Sequence, residues 1–286
     1  MQVESDPSRV TRSCMKILIA ADMEGISGVV DWDQVNPDHK EYARFRRLMT
    51  DDVNASVRGA FDGGAEEVLV ADGHANARNI LIEDLDPRAR LHCGSPSPLA
   101  MVTGVETGVD GVMFVGYHAR AGTERAILDH TWSSQRVVNL WLNGDLVGET
   151  GLNAALCGHF GAPVVMVAGD RAVCEEARGL LPDIETAEVK DATGRAAAVC
   201  LAPELAQERI RKAARRAVQR LANGKSPQPL RVALPVTLTI EFPQSDMADR
   251  AALLPGVERH GRRLSYSAED VVTAFRAMRS ALALAG

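Results

Sequence analysis

The chain has 286 residues, with 32 basic and 38 acidic side chains and a formal net charge of −6. That length can bury a sizeable core in one large domain or two smaller ones, and 46% hydrophobic with 24% charged residues is ordinary for a soluble globular protein. The acidic balance leaves no overall footprint for nucleic acid or an anionic membrane surface, and no stretch approaches the ~20 apolar residues of a membrane-spanning helix.

Residues 1–14 are polar and irregular. The apolar run after them, Ile17–Ala21, is shorter than the ~7–15 residues of an export signal and meets Asp22 at once. A disordered extension over 1–14 and a cytoplasmic protein are therefore expected. Ile17–Ala21 itself reads as a short strand buried on both faces, because such strands are near-continuous apolar runs. It leads into Asp22, Glu24 and a turn containing Gly25 and Gly28. From Asp38 to Phe61, the residues Tyr42, Phe45, Met49, Val53, Val57 and Ala60 recur on one helical face, and Gly63-Gly64 supplies a stop. Thr50-Asp51-Asp52 leaves open whether this segment is one helix or two.

Glu67–Ala71 is a second buried strand, running directly into Asp72-Gly73-His74. Residues 75–110 are less legible, with a short strand near Leu91–Gly94. Asp110–Gly116 is a third buried strand and leads to Tyr117-His118. A loop over Arg120–Asp129 ends in Asp129-His130-Thr131. Arg136–Leu142 alternates and meets Asn143-Gly144, the strongest short hairpin signal. Its return strand, Asp145–Val147, is followed by Gly148-Glu149 and a small helix from about Leu152 to Cys157. Pro163–Ala168 forms a fourth buried strand, with a helix after it to Leu181.

Beyond about residue 190 the pattern changes. Pro203–Ala222 is a long helix, residues 223–229 a linker, and Arg231–Phe242 a strand that Pro235 interrupts or confines to an edge. A helix from Ala268 to about Leu284 closes the chain. The fold class expected is α/β: a three-layer α/β/α body with a mostly parallel sheet over 15–190, carrying the catalytic metal site, and a smaller C-terminal α+β portion over 191–286. Cys14, Cys93, Cys157, Cys174 and Cys200 are odd in number with no C-x-x-C pair, which reads as free thiols in a reducing compartment.

The chemistry collects at strand ends. Buried strands run out into Asp22/Glu24, Asp72/His74 and His118, and the hairpin return runs out toward Glu149. Carboxyl ends of parallel strands share one edge, where open α/β sheets bind ligands. A single such residue could as well cap a helix or end a strand; the recurrence at equivalent positions argues for a site. Mixed carboxylate and imidazole donors suit zinc, manganese or cobalt better than calcium. Three carboxylates and two imidazoles are too many donors for one open tetrahedral zinc, so two ions fit better.

Asp22-Met23-Glu24-Gly25-Ile26-Ser27-Gly28 resembles the opening motif of the zinc-dependent D-aminopeptidase family of the dipeptide-operon (DppA) type. The likeness continues through Val70–His74, Gly116–Arg120, Val147–Ala154 and Pro163–Asp170, and more loosely into the C-terminal portion. The resemblance implies two zinc ions per subunit, with Asp22 bridging, Glu24 and His74 completing one ion, and His118 and Glu149 the other. It implies a catalytic histidine at His130, although the loop before it, with Thr123-Glu124-Arg125-Ala126 at its middle, departs from the family pattern. It further implies short D-peptides as substrates and a homo-oligomeric, decameric ring with internal active sites. Asn153 is a candidate substrate-binding residue. An imidazole such as His130 can move protons near neutral pH or attack directly.

Other features carry less. The basic stretch Arg209, Arg211, Lys212, Arg215, Arg216 and Arg220 lacks interleaved aromatics and reads as a solvated or inter-subunit face. His39, His92, His159 and His260 have no strand-end placement. There is no dinucleotide fingerprint, Walker A or G-x-S-x-G pattern. The alternatives to a D-aminopeptidase are a dinuclear metallohydrolase acting on another amide or a phosphoester, and a non-catalytic solute-binding or assembly protein of the same fold.

Overall fold

The structure, a computed structural model, describes residues 14–286. The expected N-terminal extension over 1–14 lies outside the described residues except for Cys14. Strand β1 (Lys16–Ala21) is followed by the helix α1 (Tyr42–Gly63) and strand β2 (Glu67–Asp72). Then come β3 (Ala89–His92), β4 (Gly111–Tyr117), the hairpin β5 (Asn139–Leu142) and β6 (Asp145–Leu146), and helix α2 (Glu149–His159). Strand β7 (Val164–Asp170) leads to α3 (Arg171–Leu180), the hairpin β8 (Glu185–Gly194) and β9 (Ala197–Cys200), and α4 (Pro203–Ala222). The chain closes with β10 (Val236–Glu241), α5 (Ser245–Ala251), β11 (Val257–His260), β12 (Arg263–Ala268) and α6 (Val271–Ala285).

Two sheets organise these elements. The larger runs β3-β2-β1-β4-β7-β8-β9 and is parallel except for the β8–β9 pair. The smaller, β11-β12-β10-β5-β6, is antiparallel throughout. The α/β expectation therefore holds, but the sheets do not divide at residue 190. Strand β9 and helix α4 belong with the large sheet, and the β5–β6 hairpin belongs with the small one.

Side-chain alternation builds a core on each face of the large sheet. Ile17, Ile19 and Ala21 of β1 pack with α1 and α4, whereas Leu18 and Ala20 face α2, α3 and the second sheet. Each fully buried aliphatic side chain contributes about 1.5–3 kcal/mol. Helix α1 runs unbroken through Thr50-Asp51-Asp52, because Thr50 and Asp52 are buried with partners: the Thr50 hydroxyl donates to the Arg46 carbonyl at 2.9 Å, and Asp52 accepts from the Ser27 backbone N–H at 2.8 Å.

Three sequence expectations change. The strand expected over 231–242 begins only at Val236, since Pro235 has no N–H for the ladder; yet β10 is the central strand of its sheet, so the edge placement is wrong. The final helix starts at Val271, with Asp270 as its cap accepting from the Thr273 N–H, and Ala268 ends β12 instead. Helix α2 begins at Glu149, three residues before the expected Leu152, so Glu149 opens a helix and does not end a strand. The Asn143-Gly144 hairpin is present, both residues lying in the left-handed region (φ 51° and 90°) that a type I′ turn demands.

The strand ends are pressed together. The Asp22 N–H donates to the Val115 carbonyl at 2.8 Å and the Gly25 N–H to the Gly116 carbonyl at 2.7 Å, so the loop after β1 lies flat on the end of β4. A Cβ at Gly25 would lie 1.8 Å from the Tyr117 carbonyl oxygen. Gly25→Ala is therefore expected to push the Asp22–Glu24 segment off β4 and to cost about 3 kcal/mol or more; urea unfolding checks it, and a loss under ~1 kcal/mol would show that the close approach is not required.

Candidate metal centre

Asp22 and Glu24 leave the end of β1, His74 follows β2 and His118 follows β4, and these three strands are adjacent and parallel. Glu149 arrives from the first turn of α2, where a carboxylate faces the positive end of the helix dipole. His130 comes from the loop between β4 and β5. In that loop Arg125, Leu128 and Trp132 hold left-handed backbone (φ 49°, 47° and 63°), strain of a kind that collects at functional sites.

All six side chains converge, and each of the six residues is 9% exposed or less. His74 Nδ1 lies 3.1 Å from Glu24 Oε2 and 3.3 Å from Asp22 Oδ1. His118 Nε2 lies 3.2 Å from Glu149 Oε1 and 3.6 Å from Asp22 Oδ2. His130 Nε2 stands 3.8 Å from Glu149 Oε1 and 3.9 Å from Glu24 Oε1. The two oxygens of Asp22 thus face different imidazoles.

The opposite ring nitrogens fix the tautomers. His74 Nε2 is 2.9 Å from the Val35 carbonyl, His118 Nδ1 is 3.0 Å from the Ala119 carbonyl, and His130 Nδ1 is 2.9 Å from the Leu128 carbonyl. A carbonyl only accepts, so each of these nitrogens carries a hydrogen, and the other nitrogen faces the carboxylates. His118 Nε2 is buried with no hydrogen-bond partner. Lone pairs facing carboxylate oxygens repel unless a proton or a cation lies between them, and an imidazole held through its far N–H is the usual arrangement of a metal-ligating histidine. Ligand atoms of Asp22, Glu24 and His118, and of His118, His130 and Glu149, fall within 4.8 Å of one another. The donor set fits divalent zinc.

The charge state agrees. Burial, and then Glu24, push the Asp22 carboxyl up to about 7. Burial would lower His74, but Glu24 and Asp22 together outweigh it and lift the imidazole well above its ordinary range. His118 is raised against burial by Glu149. Protons thus occupy the space between these groups when no cation does, and a metal ion would displace them. His130 differs: burial, and then His118, hold its proton affinity below the usual imidazole range.

Asp72, the other acid at these strand ends, is committed elsewhere. Its oxygens accept from the Asn79 N–H at 2.5 Å, the Asn79 side-chain amide at 2.7 Å and the Ile80 N–H at 2.9 Å, fixing the loop that carries His74. Asn153 is fully buried, one turn below Glu149 on α2, and donates to the Tyr117 hydroxyl at 2.9 Å. It does not line the cavity. None of His39, His92, His159 and His260 lines it either. Cys157 and Cys174 are buried free thiols whose proton affinity burial raises, which leaves them inert. On the basic helix, Arg211 pairs with Asp62, Arg216 and Arg220 with Glu185, and Lys212 with Glu208.

Lys190 is a residue that the sequence pattern does not single out. Its buried ammonium donates to the carbonyls of Glu24, Ile26 and Val29 at 2.6, 2.8 and 2.6 Å, tying the loop after β1 to β8. Burial lowers it to about 8. The only hint is a lone lysine between Val189 and Ala192, in a stretch whose strand character is masked by its charges. Lys190→Met would orphan three carbonyls, at a cost of roughly 3–5 kcal/mol, and loosen Glu24. Urea unfolding with a zinc titration tests this; an unchanged midpoint would remove Lys190 from that role.

The cluster opens into a cavity of about 320 Å³ whose lining includes Asp22, Glu24, His74, His130, Glu149, Trp132 and Arg279. A volume of this size suits a small ligand.

Comparison with known proteins adds three findings. The profile of the D-aminopeptidase family matches residues 15–280. The D-aminopeptidase of Bacillus subtilis (strain 168) is 37% identical over 266 residues, covering 92% of this chain and 95% of that protein. The solved structure of the Zn-dependent D-aminopeptidase DppA from Bacillus subtilis, described as a self-compartmentalizing protease, superposes with a TM-score of 0.91 at 36% identity, over 95% of this chain and 98% of that one.

Proposed function

The chain belongs to the D-aminopeptidase family, peptidases and hence hydrolases, and on that premise we propose that it is a dinuclear zinc aminopeptidase that removes an N-terminal D-residue of the D-alanine type from short peptides. The observation that carries the proposal is the orientation of the imidazoles: each turns one ring nitrogen to a backbone carbonyl and the other toward buried carboxylates. Asp22 would lie between the ions, with Glu24 and His74 on one side and His118 and Glu149 on the other. Zinc bound there, or manganese or cobalt in its place, would polarise the scissile carbonyl and make water nucleophilic near neutral pH.

The chain's own residues supply the rest. A free amino terminus of the substrate would bind at this centre, on a carboxylate or a metal ion, which makes the enzyme an exopeptidase. His130 stands neutral at pH 7, its Nδ1–H fixed on Leu128, so Nε2 can take a proton from the attacking water and pass it to the leaving amine. Burial of all six groups excludes bulk water and strengthens each electrostatic contact. A phosphoesterase would call for several cationic clamps, and neither Arg120 nor Arg125 lines the cavity.

A homo-oligomer, specifically a decameric ring, and a cytoplasmic location belong to the same proposal. The similarity to a self-compartmentalizing protease supports the first. Among the described residues no helix is long and apolar enough to cross a membrane.

The test is hydrolysis of D-alanyl-D-alanine and L-alanyl-L-alanine, each with chelator and with zinc restored. Zinc-restored cleavage of the D-peptide alone is expected; cleavage of neither would overturn the substrate class. Light scattering should return ten times the 30.7 kDa subunit mass, and a monomer would exclude the ring.

A further inference from the structure

The cavity has the candidate metal centre on its lining and one basic group away from it. Among the described residues that line it, Arg279 is the sole lysine or arginine. It projects from α6, far along the chain from every residue of the metal cluster. Its Nη1 donates to the carbonyls of Ser97 and Pro98 at 2.5 and 3.4 Å, which anchors one corner of the guanidinium. The Phe275 ring lies 5.7 Å from its central carbon and supports the plane. No carboxylate among the described residues comes within 4.0 Å of it, although Arg211, Arg216, Arg220, Arg250 and Arg259 all have one. Partial burial lowers its proton affinity, and no neighbouring acid raises it.

A half-buried guanidinium with no anion is an unmet electrostatic demand, and its planar fork matches a carboxylate better than any other common group. Resting on the aminopeptidase reading, the substrate brings such a group. A short peptide with its amino terminus at the metal centre brings its carboxylate to another part of the same cavity of about 320 Å³, where Arg279 is the one cationic side chain among the described lining residues. We infer that Arg279 binds the C-terminal carboxylate of the peptide, so that the enzyme selects short peptides with a free carboxyl end. Ser95 and Ser133 are on the same lining and bring hydroxyl donors to it. Selection then acts at both ends of the substrate: a longer peptide places its carboxylate beyond the guanidinium, and a blocked one has no charge to offer.

The experiment compares D-alanyl-D-alanine with its C-terminal amide on the zinc-loaded full chain, in wild type, Arg279→Gln and Arg279→Lys. Wild type is expected to prefer the free acid by about 10- to 100-fold in kcat/KM, mainly through KM. The ratio should fall to about 1 in Arg279→Gln and lie between in Arg279→Lys, which keeps the charge without the fork. A wild type with no preference, or an Arg279→Gln enzyme with the wild-type ratio, would overturn the inference. So would an equal loss on both substrates, the mark of a purely structural tie to residues 97–98. Calorimetry of both ligands on chelator-treated protein separates this from the catalytic reading. If wild type cleaves neither, the aminopeptidase proposal fails, while tighter binding of the acid that vanishes in Arg279→Gln still supports the carboxylate site and its absence still overturns it.

Discussion

Asp22→Asn is expected to lower kcat/KM by ~10³-fold or more, about 4 kcal/mol of transition-state stabilisation, and to reduce bound zinc from two ions per subunit to one or none. Asp22 is 3% exposed and its two oxygens point at different imidazoles, His74 and His118. No other carboxylate in the cluster faces both histidines at these distances. Burial, and then the neighbouring Glu24, already push its carboxyl up to about 7, so the ionised form depends on a cation beside it. Asparagine keeps the shape but brings no charge and cannot bridge two ions. The variant also relieves a buried like-charge repulsion, so at pH 8 the metal-free variant should unfold no more readily than metal-free wild type. That separates loss of metal from loss of fold. Zinc content by mass spectrometry and turnover of D-alanyl-D-alanine decide the matter; full activity with two ions bound would sink the role of Asp22 between the ions.

His130→Gln should behave in the opposite way with respect to metal. Its Nε2 lies 3.8–3.9 Å from carboxylates of both Glu149 and Glu24, farther than the other two histidines lie from theirs. As a proton carrier it is expected to be worth about 10²–10⁴-fold in kcat, with zinc content intact. The sign of its pH dependence comes from its environment. Burial and His118 hold its pKa below the ordinary imidazole value, so the neutral, working form persists to lower pH and activity is lost only as pH falls through that depressed pKa. The variant should lack this acid limb. Loss of zinc together with activity would instead make His130 a ligand, for which the grouping with His118 and Glu149 leaves room.

Much of this centre is legible in local pattern, because three of its pieces share one grammar. A doubly buried strand is an apolar run, and the residues next after it must sit at the sheet's carboxyl edge. Ile17–Ala21, Glu67–Ala71 and Asp110–Gly116 all obey this, which brings Asp22, Glu24, His74 and His118 together. Glu149 is reached for a partly mistaken reason: it belongs to a helix N-terminus beside the hairpin, and that helix starts three residues earlier than its apolar pattern suggests. Asn153, expected at the substrate, packs beneath the site against Tyr117. The β8–β9 and β11–β12 hairpins leave little trace, since charge and alternation at exposed strands look like loop.

Residue pattern was thus enough for the parallel sheet, for the residues at its carboxyl edge, and for a donor set that divalent cations satisfy best. Side-chain periodicity and ligand chemistry carry these, and both are local. Packing was needed to show that Asp72 braces a loop and stays out of the cluster, that Lys190 of β8 holds the backbone behind Glu24, and that Arg279 of α6 completes the cavity wall. Each of those roles depends on a distance between segments separated by long stretches of chain. Such distances are set by how helices and sheets pack, and no short-range pattern of residues records them.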